Sequence, residues 1–192
     1  VKGVYDPDKD ANGDYDTDYN TYILGADIDL ATAGKLTNAL DKDWYNANNG
    51  TNKGTFAGIF DGFGHKISNP SINCYQTWSD KAKANFYTAG LLGDFGSGAI
   101  LKDIAFENIG MAGTSWQWPL LTGWMAADAL VENVFATTNS TVPYSASLFG
   151  VISFATTLEN VVVKVERPDG YVFPGATQTG GIVTGRVNAT TY

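Results

Sequence analysis

The sequence contains few of the residues that build catalytic and metal centres. Among 192 residues it has one histidine, His65, and one cysteine, Cys74. A lone cysteine excludes an intrachain disulfide, and a lone histidine without a CxxC pair is a poor basis for a zinc site. A Ser-His-Asp or Cys-His centre would need His65, for which a structural role near a turn is the stronger interpretation. No catalytic residue and no certain cofactor is therefore predicted.

Basic residues and long apolar runs are also scarce. Lysine and arginine number 12 against 20 acidic residues, which gives a net charge of −8. Nucleic-acid binding is not expected, because it needs a basic face that releases counterions. No apolar run approaches the ~20 residues that span a bilayer, so membrane insertion is not expected. The start at Val1, without a signal segment, predicts a processed or excised part of a longer protein.

Glycine and aromatic residues are abundant instead. The chain has 22 glycines, 10 tyrosines and 10 phenylalanines, which favour strands and tight turns over helices. Hydrophobic residues make up 44% of the sequence, which suits the core of one domain of this length. We divide the chain into an acidic arm or linker over residues 1–20 and a single domain over residues 21–192.

The acidic arm alternates aspartates with short polar residues. Oxygen ligands at every second position followed by glycine are typical of calcium loops, and the candidate ligands are Asp8, Asp10, Asn12 and Asp14. Tyr19 occupies the twelfth position counted from Asp8, where an EF-hand has its closing glutamate. A solvated acidic arm is the alternative, and it needs no metal.

Residues 21–53 precede the regular part of the domain. The segment Tyr22–Leu30 (YILGADIDL) alternates as a strand does, with Ile28 and Leu30 on one face. Helical spacing then favours a short amphipathic capping helix that contains Leu36, Ala39, Leu40 and Trp44. A polar loop leads to the first regular coil at about residue 54.

The rest of the sequence repeats. Segments 90–106, 120–136 and 147–163 align without a gap, at spacings of 30 and then 27 residues. One column holds glycine and another, ten residues later, holds Asp or Asn: Gly93, Gly123 and Gly150, then Asp103, Asn133 and Asn160. A fourth copy begins at GGIVTG (180–185) and is incomplete.

These units predict an all-β solenoid. Each has room for two or three short strands but not for a crossover helix of ~10 residues. Such units stack on one another, and a right-handed parallel β-helix is the simplest geometry that achieves this. The Asp/Asn column fits a bend whose side chains form a ladder along the stack. Propeller blades of roughly 40 residues are longer than these units.

The block GTFAGIFDGFGHKI (54–67), with YILGADIDL before it and AGLLGDFGSGAILKDIAFENI after it, resembles the GLUG-type β-helix sequences of bacterial and phage surface proteins. The resemblance covers about residues 22–190. It implies an extracellular, non-enzymatic module inside a larger protein, and it supplies no catalytic residues. At Phe63 that family commonly has an asparagine.

A glycan-degrading enzyme is the competing class. Glu132 and Glu159 precede the Asn column on adjacent units, and strands stacked ~4.8 Å apart would bring their carboxylates near the separation of a retaining pair. The alternative is that both face solvent in the column that Lys102 begins. We prefer the non-enzymatic interpretation.

Two insertions carry tryptophans. Trp116 and Trp118 lie two residues apart in MAGTSWQWP, and Trp78 lies in CYQTWSDKAKANFY. Residues two apart in an extended loop face the same way and can form an aromatic platform that stacks on sugar rings. The alternative is that these tryptophans cover the flank of a coil.

The sequence therefore predicts a structural or adhesive module of a bacterial surface adhesin or a virion. A phage fibre or capsid decoration protein with a purely structural role fits the same features. An unfinished last coil leaves strand edges unpaired, which predicts another chain or domain at the C-terminal edge.

Overall fold

A computed structural model describes residues 19–36, 56–74, 76–79, 84–87, 90–113, 118–125, 128–138, 146–153, 155–166 and 184–188. In this part of the chain every helix or strand element is a β-strand, so no described helix is available to cross a membrane. The strands are β1 (Thr21–Ile23), β2 (Ile28–Asp29), β3 (Lys35–Leu36), β4 (Ile59–Asp61), β5 (Lys66–Ser68), β6 (Ser71–Cys74), β7 (Gln76–Ser79), β8 (Ala84–Tyr87), β9 (Gly93–Phe95), β10 (Ile100–Gly113), β11 (Trp118–Met125), β12 (Leu130–Thr138), β13 (Ala146–Ser153), β14 (Thr157–Val165) and β15 (Thr184–Asn188).

Parallel pairing dominates these strands. One sheet runs β1-β4-β10-β12-β14, with β2, β3, β5 and β6 joined to it, and a second runs β15-β13-β11-β9. Every described pairing is parallel except that of β7 with β8. The all-β prediction is confirmed, and the parallel sheets are compatible with a β-helix.

The strands stack in layers that follow the chain. We call them layer 1 (21–36), layer 2 (56–74), layer 3 (93–113), layer 4 (118–138) and layer 5 (146–165). Ile100 of layer 3 pairs with Leu130 of layer 4, and Leu130 pairs with Thr157 of layer 5. These pairs reproduce the spacings of 30 and 27 residues in the sequence, so the repeat corresponds to the strand register.

The predicted glycine column is shifted at one position. Gly93 pairs with Thr122 rather than with Gly123, and the register changes before Phe95 pairs with Met125. Gly93 has a φ of 95°, a conformation that glycine adopts without a steric penalty. Gly123 and Gly150 stay opposite each other, because Thr122 pairs with Phe149 and Trp124 with Val151 on either side of them.

The stack begins earlier in the chain than the sequence predicts. Strands β1, β2 and β3 already pair with β4, β5 and β6, so layer 1 precedes residue 54. The predicted strand Tyr22–Leu30 is two strands separated by a bend at Gly25 and Ala26. Leu36, the first residue of the predicted capping helix, lies in β3. The rest of that helix, with Ala39, Leu40 and Trp44, falls outside the described residues.

The core lies between the two parallel sheets. Its fully buried side chains come from both sheets and include Phe56, Phe95, Phe106, Phe149, Leu101, Leu120, Leu121, Val131 and Leu148. The rings of Phe56 and Phe95 lie 5.3 Å apart between centroids, in a tilted arrangement that is worth ~1 kcal/mol beyond area burial. Tyr22, Leu24 and Ile28 pack against this core from layer 1 and are only partly buried.

Two buried threonines differ in their hydrogen bonding, so replacing each with valine should change stability in opposite directions. The Thr138 hydroxyl donates to the carbonyl of Ile109 at 2.7 Å, whereas the Thr122 hydroxyl has no hydrogen-bond partner among the described residues. We expect Thr122→Val to raise the free energy of unfolding by about 1 kcal/mol, because it removes an unsatisfied buried hydroxyl. Thr138→Val should lower it by about 1–2 kcal/mol. Urea denaturation of both variants tests the pair, and changes of the same sign would contradict it.

Candidate functional site

A ladder of side chains runs along the bend within β10, β12 and β14. The backbones of Asp103, Asn133 and Asn160 have φ values of 52°, 53° and 51°. Asn133 Nδ2 donates to Asp103 Oδ1 at 2.8 Å, and Asn160 Nδ2 donates to Asn133 Oδ1 at 2.9 Å. We call these three residues the first ladder; the structure brings together the side chains of the predicted Asp/Asn column.

The left-handed backbone explains which residue types occur there. Asn and Asp tolerate this conformation better than other side chains do. The bend also places two outward-facing residues in succession, because Val131 and Val134 are both buried while Glu132 and Asn133 between them are not. Both sides of the bend can therefore present apolar side chains to the core.

A second ladder was not predicted from the sequence. Asn69 Nδ2 donates to Asp29 Oδ1 at 2.9 Å, and Asn108 Nδ2 donates to Asn69 Oδ1 at 2.7 Å. Asn69 and Asn108 again have left-handed backbones, with φ values of 56° and 55°. The Asn108 backbone N–H donates to Thr137 Oγ1 at 2.7 Å, so a hydroxyl of the next layer binds the backbone at this bend. Both ladders start from an aspartate and continue through two asparagines.

Phe63 occupies the matching bend of layer 2. Its φ is 51° and its side chain is 72% exposed. The Asp61 carboxylate accepts the Phe63 N–H at 2.8 Å, which supports this turn without an amide side chain. Layer 2 therefore contributes no amide here, and the first ladder starts one layer later at Asp103.

Charged side chains form a column beside the first ladder. The strand register aligns Asp61, Lys102, Glu132 and Glu159 in that order. Lys102 Nζ lies 2.9 Å from Asp61 Oδ2 and 3.6 Å from Asp103 Oδ2. Lys102 therefore forms its shorter ion pair with Asp61 of layer 2, and Glu132 and Glu159 occupy the next two positions of the column.

Ion pairs and hydrogen bonds shift several pKa values. The hydrogen bond from Lys102 lowers the pKa of Asp61, and that same contact raises the pKa of Lys102. The pKa of Asp27 is lowered, first by the Lys66 backbone N–H and then by His65. His65 Nδ1 lies 3.1 Å from Asp27 Oδ1, so this histidine contacts layer 1 from layer 2. The amide of Asn69 lowers the pKa of Asp29 within the second ladder.

These shifts predict how stability depends on pH. The carboxylates of Asp27, Asp29 and Asp61 have pKa values below the ordinary 3.8, so their stabilising contribution is present above that pH. It is lost as the pH falls through their folded-state pKa values. We expect the Tm to decline below about pH 4. Lys102→Met should make this decline smaller, because it removes the contact that lowers the pKa of Asp61. An unchanged acid limb in Lys102→Met would contradict the assignment.

Several of the predicted calcium and glycan ligands fall outside the described residues. The calcium candidates Asp8, Asp10, Asn12 and Asp14 fall outside the described residues, as does Trp116. Trp118 is the first residue of β11, and Trp78 lies in β7. Among the described residues, no group of three His, Cys, Asp or Glu side chains is arranged to hold a metal ion.

Comparison with protein families, curated proteins and solved structures finds no match to this chain. The resemblance to GLUG-type sequences stays a prediction from the residues themselves.

Proposed function

We propose that this chain is a right-handed parallel β-helix that serves as a non-enzymatic structural module of a larger extracellular protein. The host is a bacterial surface adhesin or a virion component such as a fibre or capsid decoration protein. The observation that carries the proposal is the in-register stacking of five layers, with two polar ladders along their bends. Ladders of this kind fix the register of one layer on the next, as a rigid extended module requires.

The charged column favours a structural role over a lyase reaction, which needs a base that is free to abstract a proton. Glu132 and Glu159 lie side by side, and neither forms an ion pair with another described residue. The nearest base in the column, Lys102, is already bound to two aspartates. A retaining glycosidase, by contrast, needs only two carboxylates about 5 Å apart, so this class stays the alternative that an assay of polysaccharide cleavage must exclude.

Two measurements test the structural role. We expect the folded chain to resist proteinase K far longer than a urea-unfolded sample, with the layered region (56–165) held together even where loops are cut. We also expect no release of reducing ends from a panel of polysaccharides. Cleavage that is lost in Glu132→Gln or Glu159→Gln would overturn the non-enzymatic assignment in favour of a lyase or glycoside hydrolase.

An adhesive role is a second candidate, and the β7–β8 hairpin favours it. These two strands pair antiparallel, Trp78 opposite Asn85, and belong to neither parallel sheet. The hairpin is thus an insertion between layers 2 and 3, and insertions on a rigid scaffold commonly carry binding residues.

A glycan array tests that role. We expect the parent chain to bind a subset of glycans. The variants Trp78→Ala, Trp116→Ala and Trp118→Ala should lose at least about tenfold in affinity, because sugar rings stack on aromatic faces. Phe63→Ala is the matched control, since Phe63 is an exposed aromatic residue outside these insertions. Equal binding by all four variants and the parent would exclude the platform.

A further inference from the structure

The connections between the two parallel sheets differ in length according to their direction. Connections from the second sheet to the larger sheet have three or four residues: 96–99, 126–129 and 154–156. Connections from the larger sheet to the second sheet have between four and 18 residues: 75–92, 114–117, 139–145 and 166–183. Insertions of variable length on a rigid scaffold are typical of the segments that carry binding residues. A ligand site is therefore expected at the edge where the chain leaves the larger sheet.

The β7–β8 hairpin and the start of β11 leave the larger sheet from residues that pair with each other. Cys74, the last residue of β6, pairs with Gly113, the last residue of β10. Strand β7 begins two residues after Cys74, and β11 begins with Trp118, five residues after Gly113. The hairpin and Trp118 thus follow neighbouring layers at the same edge.

The register of the hairpin divides its residues between two faces. Successive residues of a strand lie on opposite faces, and residues paired across two strands share a face. One face, which we call the amide–aromatic face, holds two carboxamide and two aromatic residues: Gln76, Trp78, Asn85 and Tyr87. The opposite face holds two hydroxyl residues, an alanine and a phenylalanine: Thr77, Ser79, Ala84 and Phe86. Because Tyr87 lies two residues from Asn85, the partner of Trp78, the aromatic positions of the amide–aromatic face are diagonal neighbours.

The composition of the amide–aromatic face favours a neutral sugar as its ligand. Sugar rings stack on aromatic faces, and sugar hydroxyls both donate and accept hydrogen bonds. A carboxamide also has donors and an acceptor, so Gln76 and Asn85 match hydroxyls better than they match the prolines of a proline-rich peptide, which only accept. None of the four residues is charged, and the net charge of −8 disfavours an anionic polysaccharide.

We propose that the amide–aromatic face of the β7–β8 hairpin binds a neutral oligosaccharide, with Trp78 and Tyr87 stacking on sugar rings and the two carboxamides bonding hydroxyls. Trp118, at the same edge, extends this site toward the next layer. The proposal rests on the adhesive role proposed above, and it assigns that role a binding face and a chemical class of ligand.

The test titrates the full chain with neutral oligosaccharides by isothermal titration calorimetry. The probes are hexasaccharides of glucose, mannose, galactose and N-acetylglucosamine, with hexagalacturonate and decaproline as the anionic and peptide comparisons. We expect a neutral probe to bind, and Trp78→Ala and Tyr87→Ala each to weaken its binding at least about tenfold. Tyr87→Phe keeps the ring and should bind within about threefold of the parent. Phe86→Ala is the matched control, because Phe86 lies on the opposite face of the hairpin.

Four results would overturn the proposal, and they differ in what else they contradict. Binding of a neutral probe that survives both alanine variants contradicts the hairpin face but leaves the adhesive role. A preference for hexagalacturonate or decaproline contradicts the ligand class alone. Absence of binding by any probe contradicts the adhesive role as well. In thermal denaturation, a lower Tm for Trp78→Ala with an unchanged Tm for Phe86→Ala would show that the amide–aromatic face packs against the stack.

Discussion

Replacing Asn133 with valine should lower the free energy of unfolding by about 3–4 kcal/mol. The substitution removes both ladder hydrogen bonds of Asn133, worth about 1 kcal/mol each. It also forces a β-branched residue into a backbone with φ of 53°, where L side chains are strained by about 1–2 kcal/mol. Urea denaturation monitored by circular dichroism measures the loss.

Asn133→Gly separates the two causes. Glycine adopts the left-handed backbone without strain, so this variant should lose only the ladder bonds, up to about 2 kcal/mol. Asn133→Asp keeps an acceptor but places a second carboxylate beside Asp103, so its stability should recover as the pH falls. If the valine and glycine variants are equally stable, backbone strain plays no part at this bend.

Replacing Gly62 with alanine should cost about 3 kcal/mol or more. A Cβ atom at Gly62 would collide with the carbonyl oxygen of Asp103 and with Ile104, and backbone cannot move aside as a flexible side chain does. The Gly62 N–H also donates to the Lys102 carbonyl at 2.9 Å. The added methyl group therefore pushes layer 2 away from layer 3.

Two nearby glycines provide controls for Gly62→Ala. A Cβ atom at Gly64 meets open space, but the φ of 79° predicts a loss of about 1–2 kcal/mol from strain alone. Gly25 has open space and no left-handed backbone, so Gly25→Ala should be close to neutral. The ordering Gly62, Gly64, Gly25 in thermal denaturation is the expected result, and a neutral Gly62→Ala would show that layers 2 and 3 are not packed as described.

The repeat was predictable because parallel pairing in register requires a constant spacing. Segments 90–106, 120–136 and 147–163 align without gaps, and the same alignment places Asp103, Asn133 and Asn160 in one column. The second ladder lies across layers 1 to 3, where neighbouring members are 40 and 39 residues apart. These spacings are nearly equal, so a period of about 40 residues connects Asp29, Asn69 and Asn108 and is the signal that could have found them. The shorter spacing of 30 and 27 residues begins only at residue 90 and does not reach Asp29 or Asn69.

Other differences come from backbone geometry that a sequence pattern does not record. A gapless alignment has no means of showing the register change that follows Gly93. Similarly, the apolar alternation of YILGADIDL continues through the bend at Gly25, so one strand was predicted where two occur. Contacts between layers, such as that of His65 with Asp27, depend on stacking and were not predictable from local spacing.

The ladders also have a consequence for how the chain is assembled during synthesis. Every ladder amide donates to a residue earlier in the chain: Asn69 to Asp29, Asn108 to Asn69, Asn133 to Asp103 and Asn160 to Asn133. The acceptor has therefore always left the ribosome before its donor. Each layer can form on a finished template, in the N-to-C order in which domains generally fold as they are made. Each ladder starts from an aspartate, Asp29 in layer 1 and Asp103 in layer 3, whose carboxylate only accepts and so needs no ladder partner in an earlier layer.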